Sequence, residues 1–122
     1  MQKLQFEATW DKNLSEGDRA FITQAFNKRL LQADTLSCEI LRTARNHHGH
    51  LLVTVLIHNA TACEQTFIAR EVHLQTTHGQ FTQTFTQPKL VIASGVSMPW
   101  TFIFEQVPQN AGEVLAIEFE KA

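Results

Sequence analysis

Between Met98 and Phe104 the chain reads Met-Pro-Trp-Thr-Phe-Ile-Phe, with large rings at every second position. Side chains of an extended strand point to opposite faces in turn, so Trp100, Phe102 and Phe104 must share one face. Three such rings need a covering layer, either a second sheet or a helix. Their simplest role is therefore core. An exposed aromatic groove for a peptide is the sharper alternative.

The same two-residue period runs through most of the chain from Leu36 onward. Leu36–Arg45 places Leu36, Cys38 and Ile40 on one side. Asn46-His47-His48-Gly49 then supplies turn chemistry. His50–His58 is almost wholly apolar, as expected of a strand covered on both faces. A break at Asn59-Ala60-Thr61-Ala62 precedes Thr66–Thr76, where Ile68, Val72 and Leu74 are expected inward. His78-Gly79 reads as a tight turn before Gln80–Thr86, with Phe81 and Phe85 on one side. Pro88 should end that strand or confine it to a sheet edge. After Leu90–Ala93 and the ring-bearing strand, Pro108–Gly112 forms a loop. Val114–Phe119 closes the chain with Leu115, Ile117 and Phe119 inward.

The beginning of the chain has a different period. Leu4–Trp10 alternates as a short strand or extended arm, and Asp11-Lys12-Asn13 reads as a polar turn. Ser15 is a helix cap, followed by Glu16 and Asp18 where the helix dipole favours acids. Leu14, Phe21, Ile22, Ala25, Phe26 and Leu30 recur at helical spacing. The expected architecture is one domain over residues 1–122, mostly β. It is an Ig-like β-sandwich of about six to seven antiparallel strands over about 36–120, with one N-terminal helix over about 15–32. A chain of 122 residues buries roughly two-thirds of its unfolded surface, so it needs neither metal nor disulfide to be stable.

Charge and hydropathy remove several classes of function. The formal net charge is −2, and the ten Lys and Arg are scattered. Nucleic-acid binders and polybasic membrane binders carry basic faces that this pattern lacks. No apolar run approaches the ~18 residues of a membrane span, and the first ten residues hold no signal-peptide core. A cytoplasmic protein is the expectation, with Cys38 and Cys63 as two reduced, buried thiols.

Catalytic patterns are missing from the sequence. Ser15, Ser37, Ser94 and Ser97 have no nucleophile-elbow surroundings. Glu71, Glu105 and Glu118 are not paired in sequence, and glycine is too sparse for a phosphate-cradling loop. The expectation is a protein without catalytic residues, cofactor or enzymatic activity. His47, His48 and His50 cluster at a turn and are the candidate metal ligands, although no cysteine completes a closed zinc pattern there. They carry the alternative reading, a small-ligand or metal-binding protein. Trp10, His58 and Asn59 are the candidate partner-binding residues. The expected role of His58 is local hydrogen bonding at a strand end.

Three segments, in this order and spacing, resemble the SLAP domain of Firmicutes proteins linked to the accessory Sec system and S-layer assembly. They are Trp10-Asp11-Lys12-Asn13-Leu14-Ser15, Gly49 through Asn59, and Pro99-Trp100-Thr101-Phe102-Ile103-Phe104. The resemblance covers about residues 4 to 106. It departs from the family at His58, where an Arg tends to precede the Asn. Phe81–Ile92 is also poorer in acidic residues and Leu. The resemblance implies an accessory factor in protein export or envelope assembly, acting through a protein partner, and it supplies no catalytic residue.

Overall fold

Two bonds across the strand ends define how the chain closes on itself. Asn59 O accepts from Gly95 N, and Ser97 O accepts from Gln5 N, both at 2.9 Å. They belong to a computed structural model that describes residues 2–29 and 31–120. In chain order the elements are β1 (Lys3–Leu4), α1 (Ala8–Asn13), α2 (Glu16–Asn27), β2 (Leu36–Arg45), β3 (Leu51–Asn59) and β4 (Gln65–Thr76). They continue with β5 (Gly79–Ile92), β6 (Val96–Phe104), a single 3-10 turn at Gln109–Ala111 and β7 (Val114–Phe119).

The strands form a four-stranded sheet in the order β1-β6-β3-β2 and a three-stranded sheet in the order β5-β4-β7. The steps β3 to β4, β5 to β6 and β6 to β7 each change sheet, the interlocked connectivity of an Ig-like sandwich. All pairs are antiparallel except β1 with β6, which is parallel. Phe102 and Phe104 lie fully inside, with Phe67, Phe85 and Phe119 meeting Phe102 at ring-centre distances of 5.0–5.8 Å. Edge-on and tilted rings at such distances are the favoured aromatic geometry. The alternating strand is thus the centre of the core, with Trp100 only half-buried at its margin.

β3 behaves as its composition requires. Val53, Val55 and Ile57 face the core. Leu56 and His58 on the other face are equally buried, beside α2 and its one buried residue, Ile22.

The N-terminal region differs from the expectation of a single helix over 15–32. The segment read as a polar turn is helical: α1 begins where the Glu7 carboxylate accepts from Thr9 N. Ser15 caps α2 through Asp18 N at 3.0 Å, as expected. α2 stops at Asn27, and Arg29 folds back over its last turn, its guanidinium 3.9 Å from the Phe26 ring centre and donating to Phe26 O. Leu30 lies outside the described residues. Arg19 ties the two helices together by pairing with Asp11 at 2.9 Å and lying over Phe6.

Two inward assignments are corrected, and both fail at β-bulges. Ile68 is 58% exposed because the register between β4 and β5 shifts across Phe67 and Arg70, with Ala69 at a φ of 49°. A bulge adds a residue to one strand and reverses which side chains face inward. Phe67 takes the core position that Ile68 was expected to hold. Leu115, 55% exposed, is displaced in the same way by the shift opposite Gln75 and Thr76. Pro88 does not end its strand. β5 continues through it to the buried Ile92, and β5 is the outer strand of its sheet, where a missing N–H is tolerated.

Candidate functional site

The structure assembles a buried polar chain that sequence spacing does not reveal. His58 on β3 stands opposite Ser97 on β6 and Ser37 on β2. Its Nδ1 is 2.6 Å from Ser97 Oγ and its Nε2 is 2.7 Å from Glu39 Oε1. Gln2 Nε2 donates to Ser97 Oγ and to Asn59 O, which brings the N-terminal arm onto the same chain. His58 and Ser97 are essentially excluded from solvent. Burial holds the His58 imidazole below its ordinary range, and Arg29 pushes the same way, against the opposing pull of Glu39. With the ring neutral, one direction satisfies every group. Gln2 donates to Ser97, the Ser97 hydroxyl donates to Nδ1, and Nε2–H donates to Glu39.

Serine, histidine and glutamate in contact also make up a nucleophile, a base and an orienting acid. Here the serine is 0% exposed, sits on a strand paired on both sides, and accepts from Gln2. A nucleophile needs reach to a substrate carbonyl, which Ser97 lacks. The chain acts as a buried tie between β1, β6, β3 and β2. Only the alternation of Ser97 and Thr101 with apolar neighbours hinted that a polar residue would be enclosed here.

Asn59 is a second tie. Its side-chain amide donates to Cys63 O and Ile92 O, and its carbonyl accepts from the N–H and hydroxyl of Thr61. His58 and Asn59, at 1% and 0% exposure, are thus corrected as partner-contact candidates. Their polar atoms are spent inside the fold. Cys63 also departs from expectation: it is exposed, whereas Cys38 is half-buried with Sγ against Ile117 O. Burial, then the neighbouring Glu39, pushes the Cys38 thiol up to about 12.

His47, His48 and His50 are adjacent in space, with ring centres 3.9 Å apart for the first pair and 5.7 Å for the second. The rings stand face to tilted face. Among the described residues no group of three or more His, Cys, Asp or Glu converges in a manner that could hold a metal ion. The expected turn is present: Asn46 Oδ1 accepts from His48 N and His50 N.

Trp10 is the candidate that stays at the surface. It is half-buried on α1 and stacks on Trp100 with ring centres 6.3 Å apart. The pair borders an open cleft of about 500 Å³ between β5 and the outer side of β6. Gln83 reaches across this cleft: its Nε2 donates to Ile103 O and its Oε1 accepts from Glu105 N. No helix among the described residues is long and apolar enough to cross a membrane.

These features define a two-sheet β-sandwich fronted by two short helices, with a polar chain buried at His58 and Ser97 that reaches the surface at Glu39, and an aromatic pair beside an open strand edge. The SLAP domain family matches residues 4–120, nearly the whole chain, and the chain belongs to that family. Comparison with curated proteins and with solved structures gives no match.

Proposed function

We propose that this protein is a non-catalytic protein-interaction module serving protein export or surface-layer assembly. The match to the SLAP domain over residues 4–120 carries this reading. The burial of Ser97 supports its non-catalytic part, since the serine contacting an imidazole base is sealed from solvent. The half-buried Trp10 and Trp100 support the interaction part, because aromatic side chains are enriched where proteins meet partners. The proposed setting is the cytoplasmic face of an export pathway.

The direct test is a pull-down with the purified full chain against the export ATPase and surface-layer precursors of the same cell. Enrichment of either over an unrelated sandwich domain is the expected result. Equal recovery by both domains would overturn the reading.

A further inference from the structure

The outer edge of β6 is occupied at both ends and vacant in the middle. In an antiparallel ladder each residue turns its N–H and C=O to the same side, and consecutive residues alternate sides. Ser97 O points away from β3, since it accepts from Gln5 N of the β1 segment. Ile103 O and Glu105 N point the same way, since they bond the Gln83 side chain. The odd-numbered residues of β6 therefore face outward. Pro99 fits this parity, because its missing N–H falls on the outer side and removes no bond to β3. Pro99 is buried, so the outward groups left open between the two ends are Thr101 N–H and C=O and Ile103 N–H. None has a partner among the described residues.

From this geometry, and resting on the reading of the chain as an interaction module, we infer that the β6 edge from Thr101 to Ile103 binds an extended segment of a partner polypeptide as an added strand. Three observations fit that occupant. The edge already accepts extended chain, since β1 pairs with its first two residues, Val96 and Ser97. The Gln83 amide imitates a peptide group at its far end, making the two bonds an added strand would make. The vacant stretch opens into the cleft beside Trp10 and Trp100, where alternate side chains of an added strand would find apolar cover. The cleft walls include the uncharged Thr84, Thr86 and Gln87, with Glu105 at the far end, so the fitting segment alternates apolar and neutral polar residues and carries no acid opposite Glu105.

A second copy of this chain fits less well. Antiparallel pairing of two β6 edges about Thr101 would set Ser97 of one copy against Glu105 of the other, and both positions are already bonded, by Gln5 and Gln83. A flexible segment can displace one glutamine side chain, whereas a second folded edge brings its own obstructions.

The test uses linear peptides selected from a phage-displayed library on the full chain, with affinities measured by calorimetry. The expected result is a selected peptide whose binding falls roughly tenfold or more with Thr101→Pro, which deletes the outward N–H. Binding should rise with Gln83→Ala and vanish when alternate peptide nitrogens are methylated. Amide exchange on the unmodified chain gives a check independent of folding of the variants: Thr101 and Ile103 N–H should exchange freely, and Phe102 and Phe104 N–H should be protected. Slow exchange at Thr101 and Ile103, no enriched peptide, equal binding to a folded Thr101→Pro, or a dimer in solution dissolved by Thr101→Pro would each overturn the inference. If the pull-down above succeeds and is unchanged by Thr101→Pro, the interaction reading stands and this edge is not its site.

Discussion

His58 Nδ1 lies 2.6 Å from Ser97 Oγ with both residues withdrawn from water, so the proton on this imidazole is linked to the integrity of the fold. Burial lowers the folded-state affinity of His58 for a proton below its ordinary value near 6.5. The unfolded chain therefore binds the proton more readily. This contribution to stability is complete above about pH 6.5 and is lost as pH falls from there through the folded-state value. A urea titration series from pH 8 to 5 should show the midpoint falling on acidification, with a shallower fall in His58→Gln. Parallel slopes for the two proteins would refute the assignment.

Phe102 touches the rings of Phe67, Phe85 and Phe119 and has no solvent exposure. Replacement by Ala should destabilise the domain by about 3–5 kcal/mol, from lost transfer energy plus a cavity the surrounding rings fill only in part. Equilibrium urea unfolding measures this. A loss under about 1 kcal/mol would place the ring outside the core.

Asn59→Ala strips partners from Cys63 O, Ile92 O and Thr61 N at once. Buried groups left unpaired cost about 1–3 kcal/mol each, and solvent entry reduces the sum, so about 2–4 kcal/mol is expected. Asn59→Asp should be no better, because a carboxylate would face two carbonyl oxygens. Thermal unfolding of the pair checks both; a stable Asp variant would argue against this hydrogen-bond assignment.

The two thiols should separate cleanly in a timed alkylation at pH 8. Cys63, exposed, should react with iodoacetamide within the ordinary time for a free thiol. Cys38, with its thiol pushed up to about 12, should remain unmodified until the chain is unfolded in urea. Mass spectrometry of the digested protein reads the two sites, and equal rates would count against the burial of Cys38.

The rings of His47, His48 and His50 are tilted against one another, and among the described residues they do not form a group that could hold a metal ion. Calorimetry with zinc, nickel and copper should give the same small heats for the unmodified chain and for a variant with all three replaced by Ala. A saturable heat confined to the unmodified chain would favour the metal-binding reading.

The residues by themselves determined the layered β architecture, because a two-residue alternation such as Trp100-Phe102-Phe104 can bury its rings only between layers. They also determined the α2 cap at Ser15 and the doubly covered β3, since both follow from chemistry within one segment. The tertiary structure decided whatever depends on a partner strand. Ile68 and Leu115 face outward because bulges shift their registers, and the shift is set by the pairing across β4. Glu39, His58, Ser97 and Gln2 are far apart along the chain and meet only where β2, β3, β6 and the N-terminal arm lie side by side. The vacancy on β6 is likewise a property of strand order. Nothing near Thr101 in sequence says that β1 would be two residues long, or that a glutamine from the other sheet would occupy the remaining end.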